Sequence, residues 1–251
     1  MDLVVINHQD NVAIMNLNRG VTNPINLDLV KTISKNIQNL KDDNSTKSLI
    51  LTSNNNKFFS IGFDLPELFE LSIEELKTFY TSFNRLCLDL YSFPKPTLAA
   101  LTGHAIAGGC ILALCCDYRY ISEGRKLMGL NEIKLGLPVP YPADALLRQL
   151  IGSRLAQEVV ELGEFYQPED SLSMGLVNKV FPVDQVLSEA INNAKILGNL
   201  PQNAFAQIKQ NRTEGVKEQI LSRLDEKEDF FLSCWQDDEV RELLREAIKK
   251  F

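Results

Sequence analysis

Long apolar runs are missing from this sequence. Its most hydrophobic stretches, such as Cys110 to Cys116, fall well short of the roughly 18 residues that a membrane span needs, so no transmembrane helix is expected. Positive charge is in deficit. The 26 Lys+Arg against 33 Asp+Glu leave a net charge of −7, which removes any global attraction to nucleic acid or anionic lipid. Histidine is scarce, with His8 and His104 alone, too few for a structural zinc site, and no metal is expected. The five cysteines, Cys87, Cys110, Cys115, Cys116 and Cys234, are odd in number and form no C-x-x-C pair, which speaks against a disulfide framework and for a reducing compartment. Cys115 and Cys116 sit in an apolar segment, where cysteine acts as a small hydrophobe, so these are read as core residues. The opening MDLVVINHQD lacks the basic and apolar regions of a secretory signal, and Lys249-Lys250-Phe251 is no peroxisomal address, so the expected compartment is the cytoplasm.

What is present is ordinary globular material. The 251 residues, 45% hydrophobic and 24% charged, suffice to bury a core without disulfide or metal staples. Val12 to Leu17 reads as a strand, and Leu27, Val30, Ile33, Ile37 and Leu40 form a helical stripe. Ser48 to Thr52 is a short apolar strand ended by the polar cluster Ser53 to Lys57. Ser72 with Glu75 three residues later predicts a capping box opening a helix towards Tyr91, which Pro94 and Pro96 close. Thr97 to Leu101 is continuous enough to be a strand buried on both faces. Cys110 to Cys116 predicts a buried helix, and Asp117–Ile121 and Leu127–Leu130 two short strands. From Asp144 onward helix dominates, with Val177–Phe181 the one clear strand and Glu218–Phe251 two amphipathic helices broken near Trp235-Gln236-Asp237. No linker, repeat or low-complexity tract divides the chain, so a single domain over 1–251 is expected, with a helical C-terminal extension.

Three separated segments could carry chemistry. They are Phe58-Phe59-Ser60-Ile61-Gly62-Phe63-Asp64-Leu65, then Gly103-His104-Ala105-Ile106-Ala107-Gly108-Gly109, then Met128-Gly129-Leu130-Asn131-Glu132. The second opens a helix with little side-chain cover, so free backbone N–H groups there can hold an anion or a developing oxyanion. The spacing from Gly103 to Gly108 matches part of a P-loop, but no Lys-Ser/Thr follows Gly109, which disfavours a nucleoside triphosphate. Alternatively, the glycines only let a helix approach a sheet.

Together these segments resemble the crotonase family, the enoyl-CoA hydratase/isomerase superfamily, and among its branches most of all the mitochondrial-type Δ3,Δ2-enoyl-CoA isomerases. The resemblance runs through Ile50-Leu51-Thr52-Ser53, Phe59 to Leu65, Ala107-Gly108-Gly109-Cys110, Ala113 to Arg119, and Gly129-Leu130-Asn131-Glu132 with Leu135-Gly136. It implies an α/β fold, a crotonase-like spiral of ββα turns with a core over about 1–195 and a helical trimerisation region over about 196–251. It also implies trimers or hexamers built as dimers of trimers, and acyl-CoA thioester substrates, with coenzyme A belonging to the substrate and no separate cofactor.

Carried over by position, the family's oxyanion hole falls on the backbone N–H groups of Phe63 and Gly108, two donors that would stabilise an enolate. Hydratases of the family use two glutamates. The second matches Glu132, whereas the first would fall two residues after Gly109, where this chain has Ile111. Mitochondrial-type isomerases keep only the glutamate matching Glu132, and one carboxylate alternating between base and acid suffices for a 1,3-proton shift. Apolar neighbours such as Met128, Leu130 and Ile133 would raise its pKa. By position Val21, Thr22, Pro24, Ile61, Asp64, Leu65 and Ile111 would border the substrate, and Asp64 could equally cap a turn. Hydration, thioester hydrolysis or non-catalytic acyl-CoA binding are the alternatives; RNA binding is disfavoured by the charge.

The chain departs from the family in several places. Ile61 stands where alanine is frequent, and Phe63 is bulkier than the usual alanine or leucine. The proline-containing Leu137 to Pro142 replaces a glycine-rich stretch and is expected to line the acyl tail. Gly20 stands where many members place a basic residue for the CoA phosphates, leaving Lys57 or Arg19 as candidates. Asp144 is read as a helix cap and His104 as structural.

Overall fold

The computed structural model describes residues 2–249. Strands β1 (Val4–Gln9) and β2 (Val12–Leu17) form an antiparallel hairpin. Helix α1 (Leu27–Asp42) follows, capped by Asn26, whose side chain accepts from the Leu29 amide. Its buried side chains are Leu29, Val30, Ile33, Ile37 and Leu40, and half-buried Leu27 packs against the same core, so the expected stripe is present with Leu29 added to it.

From here the chain repeats one unit. Strand β3 (Ser48–Ser53) joins the first sheet and β4 (Phe58–Ser60) opens a second; helices α2 (Leu65–Phe69) and α3 (Ile73–Tyr91) return the chain. Strands β5 (Thr97–Leu101) and β6 (His104–Ile106) again enter the first and second sheets, followed by helix α4 (Gly108–Leu114). Strands β7 (Tyr118–Ser122) and β8 (Met128–Gly129) do the same, before a 3₁₀ turn (Glu132–Leu135) and helix α5 (Tyr141–Leu162). Each turn thus adds one strand to each sheet and then a helix, which is a ββα spiral. Strand β9 (Phe165–Tyr166) closes the second sheet against β8, helix α6 (Pro168–Ser173) follows, and β10 (Lys179–Phe181) closes the first against β7.

The first sheet has the order β1-β2-β3-β5-β7-β10 and is parallel apart from the β1–β2 hairpin. Both of its faces are covered, which is why β5 is buried throughout and β3 at every residue but Ser53. On β5, Leu98 and Ala100 face helix α7 (Val186–Gly198), while Ala99 and Leu101 face the principal core. The capping box at Ser72 forms as expected: Glu75 donates its amide to the Ser72 hydroxyl, and the Glu75 carboxylate accepts from the Ser72 amide. The four buried cysteines and half-buried Cys234 carry free thiols, in keeping with a core role.

Several boundaries differ from the sequence expectation. Of Leu127–Leu130 only Met128 and Gly129 pair as a strand, and Val177–Phe181 contributes only Lys179–Phe181. The helices at the C-terminal end are three: α8 (Gln202–Leu221), α9 (Leu224–Gln236) and α10 (Asp238–Ile248). Glu218 lies in the last turn of α8, so the first amphipathic helix of the expected pair starts at Leu224 instead, after a break at Ser222-Arg223; Phe251 lies outside the described residues. The break at Asp237 is as expected, and its side chain caps α10.

Helix α8 is fastened to the sheet by a buried ion pair. Asp117 accepts from Lys209 Nζ at 2.7 Å, from the Thr97 amide at 2.9 Å and from Arg212. Burial would raise the Asp117 carboxyl, but Lys209 and Arg212 hold it below the usual carboxylate range. Arg119 is also buried, donating to Leu176 O at 2.7 Å and Cys116 O at 2.6 Å, so the Asp-Tyr-Arg segment serves the fold.

Candidate active site

The three sequence segments meet in space. In the second sheet β4 lies beside β6 and β6 beside β8, so Phe58–Ser60, His104–Ile106 and Met128–Gly129 run parallel in that order. The residues that follow each strand therefore emerge at the same sheet end: the Gly62-Phe63 turn, the start of α4, and the segment leading to Glu132. The Ala107 amide donates to Gly129 O at 2.9 Å, which ties the second to the third.

Gly62 and Gly108 allow the first two to touch. Gly62 has φ +99°, and a β-carbon on it would fall 2.9 Å from Ala107 Cβ and 3.0 Å from the Gly108 nitrogen. A β-carbon on Gly108 would lie 3.0 Å from Phe63 Cδ1 and 3.2 Å from Ile25 Cδ1. Among the described residues, the N–H groups of Phe63 and Gly108 donate to no acceptor. Two unpaired amides thus stand on adjacent segments, one at a helix N-terminus. Ala107, just before that helix, has φ +46° and ψ −119°, a conformation costing a residue with a side chain about 1–3 kcal/mol, and such strain concentrates at functional sites. The bulk of Phe63 is absorbed by an aromatic cluster: its ring meets Phe79 and Phe83 edge-on, with centroids 4.9 and 4.8 Å away.

Glu132 opens the 3₁₀ turn and is 7% exposed. Its Oε2 has no hydrogen-bond partner among the described residues. Burial pushes its carboxyl up to about 7, partly opposed by a hydrogen bond from its own amide. Met128 and Leu130 are fully buried, as expected, whereas Ile133, on the 3₁₀ turn, is 49% exposed. The Glu132 charge reaches Cys110 on α4 and Tyr80 on α3: burial first, then the carboxylate, raises the Cys110 thiol, and burial with Glu228 and Glu132 raises the Tyr80 phenol. Sequence alone does not single out Tyr80, because it lies on the apolar face of α3 and looks like any core aromatic.

The remaining predicted residues fall in two places. Val21, Thr22 and Pro24 form a turn against the strip from Ser60 to Asp64, where the Ile61 amide donates to Thr22 O at 2.9 Å and the Ile25 amide to Gly62 O at 2.7 Å. Val21 is 58% exposed, whereas Leu65 and Ile111 are buried in the principal core. Asp64 caps α2, accepting from the Glu67 amide, and Arg19 is bound to it at 2.6 Å, so the guanidinium expected to meet phosphates is already engaged. Lys57 stays near the surface over the Phe58 ring. His104 is structural: its Nδ1 accepts from the Leu127 amide at 3.0 Å, and burial, with nearby Lys126, Arg125 and Lys57, lowers its pKa. Asp144 does not cap its helix. Pro140 and Tyr141 start α5 earlier, with Pro142 in the first turn, and Asp144 pairs instead with Arg148 one turn on. Leu137, Pro138, Val139 and Tyr141 line a groove of about 410 Å3 together with Tyr80, Ile133 and Phe230, adjoining the Glu132 turn.

Residues 7–251 match the family described as enoyl-CoA hydratase/isomerase. Among similar proteins, mitochondrial enoyl-CoA delta isomerase 1 of Mus musculus is 34% identical over 180 residues, covering 71% of this chain and 62% of that protein. Its Homo sapiens counterpart is 28% identical over 240 residues, 95% of this chain and 80% of that protein. A short-chain-enoyl-CoA hydratase of Clostridium acetobutylicum is also 28% identical, over 98% of this chain and 95% of its own. The crystal structure of human mitochondrial delta3-delta2-enoyl-CoA isomerase superimposes with a TM-score of 0.96 at 27% identity, covering 99% of this chain and 98% of that one. The crotonase-like fold implied by the sequence resemblance is thus the fold observed. The chain belongs to the enoyl-CoA hydratase/isomerase family of enzymes.

Proposed function

We propose that this enzyme shifts the double bond of a 3-enoyl-CoA to the 2-position, using Glu132 as its only proton carrier. The carrying observation is one buried carboxylate raised to about 7 in a site with two unpaired amides, with apolar Ile111 where a hydratase places its first glutamate. The thioester carbonyl accepts hydrogen bonds from the Phe63 and Gly108 N–H groups, which acidifies the C2 proton and stabilises the enolate formed when it leaves. Glu132 takes that proton from C2, becomes a neutral carboxylic acid, and returns it to C4 as the double bond settles between C2 and C3. No water is consumed, and a carboxyl poised near neutrality exchanges protons in both directions.

In this reading Val21, Thr22, Pro24 and Ile61 border the coenzyme A portion, Leu65 and Ile111 back the thioester, and the groove along Leu137–Tyr141 receives the acyl tail. The helices α8 to α10 carry homotrimer contacts, as a single trimer or a dimer of trimers. Hydration is the second reading, favoured by hydratases standing among relatives at equal identity. Against it stands the Ile111 side chain, fully buried and unable to orient a water.

Glu132→Gln tests the proposal. It keeps the shape and removes the base, so turnover should fall by about 1,000-fold or more while acyl-CoA affinity is retained. A variant that turns over as fast as wild type would overturn the assignment.

A further inference from the structure

We infer that Arg19, through Asp64, is the positioning residue that aims the Phe63 N–H of the oxyanion hole; this rests on the catalytic reading above. Arg19 Nη1 donates to Asp64 Oδ2 at 2.6 Å and to Pro24 O at 2.9 Å, and Nη2 donates to Glu67 Oε2 at 2.9 Å. The same Glu67 carboxylate accepts from Asn26 Nδ2 at 2.9 and 3.0 Å, and Asn26 caps α1. Asp64 caps α2 with its other oxygen, accepting from the Glu67 amide at 3.2 Å. One planar guanidinium thereby joins the beginnings of two helices and the strip between them, a fork geometry that an ammonium cannot reproduce.

That strip decides where the Phe63 amide points. Ile25 pairs with Phe63 in a parallel bridge: its amide donates to Gly62 O at 2.7 Å, and its carbonyl accepts from the Asp64 amide at 2.9 Å. With Gly62 O and Asp64 N turned towards Ile25, the Phe63 N–H between them faces the opposite way, without a partner among the described residues. Arg19 grips both sides of this bridge, Pro24 on one strand and Asp64 on the other. Loss of the grip lets the strip slide or rotate, and about 1 Å of misplacement at a reacting centre costs about 100-fold. Because the guanidinium is spent on these contacts, the turn that borders coenzyme A serves geometry and not phosphate binding.

The test compares Arg19→Met, Arg19→Lys and Asp64→Asn. Asparagine caps helices as well as aspartate, so Asp64→Asn weakens the ion pair and spares the cap. Two readouts are taken: steady-state kinetics on a 3-enoyl-CoA, and the infrared stretch of carbonyl-labelled hexanoyl-CoA bound to the protein. Arg19→Met and Asp64→Asn should lower kcat about 10- to 100-fold with KM within about threefold, and shrink the downshift of the bound carbonyl stretch, with partial recovery in Arg19→Lys. A raised KM, weaker binding of free coenzyme A and an unchanged carbonyl stretch would make Arg19 a phosphate ligand and overturn the inference. So would a lowered melting temperature with kcat and the stretch both unchanged. If wild type fails to isomerise, the proposed function falls, yet the carbonyl stretch still decides whether Arg19 aims the amide. If Arg19→Met does not fold, Asp64→Asn decides between the same outcomes.

Discussion

Gly108 packs so closely on Phe63 that a β-carbon on the glycine would come within 3.0 Å of the phenyl ring. Both residues supply an amide to the proposed oxyanion hole, so the contact couples the two donors. The ring cannot retreat freely, because Phe79 and Phe83 hold it edge-on from behind.

Gly108→Ala should therefore push on Phe63 and lower kcat by about 10- to 100-fold, a displacement effect on a preorganised site. Adding Phe63→Leu makes room and should restore part of the loss. Steady-state kinetics on the two single variants and the double variant check this; strictly additive losses would mean the contact does not couple the amides.

The Glu132 carboxyl, raised to about 7, predicts a pH profile. The base form starts the reaction, so kcat/KM should rise through a single limb centred at about 7. A limb at the ordinary carboxylate value would contradict a desolvated base.

The same shift bears on stability. Between the ordinary value of 4.5 and about 7 the folded state binds the proton more tightly than the unfolded one. Stability present at low pH is thus lost as pH rises through that window, by up to about 3 kcal/mol. Glu132→Gln carries no such penalty and should be more stable than wild type at about pH 8, with the gap closing near pH 4. Denaturant titrations at both pH values measure it.

Lys209 probes the frame apart from the site. Its side chain is 2% exposed and pairs with buried Asp117, so Lys209→Met should cost about 3 kcal/mol of stability while leaving kcat unchanged. Urea unfolding and kinetics below the transition separate the two effects.

Much of this architecture is legible in the sequence, for identifiable reasons. Strands β2, β3 and β5 carry continuous apolar cores because both faces of the first sheet are covered, and α3 carries a full capping box. Strand β1 is hidden because its second half, Asn7-His8-Gln9, is polar and exposed on a sheet edge. Strands β6 and β9 are three and two residues long, too short for any period to appear. At the site, the glycines and Glu132 announce themselves through motif and spacing. The partnership of Arg19 with Asp64 does not, since it joins residues 45 apart through an ion pair that only the folded turn creates.

Single-carboxylate isomerisation is best tested by product analysis. A 3-enoyl-CoA and a 2-enoyl-CoA are offered separately to the same preparation, and the products are resolved by mass and retention. Conversion of the 3-enoyl substrate to the conjugated 2-enoyl thioester is expected, with no 3-hydroxyacyl-CoA from either. Accumulation of 3-hydroxyacyl-CoA from the 2-enoyl substrate at a comparable rate would contradict it, because a group other than Glu132 would then have to hold the water.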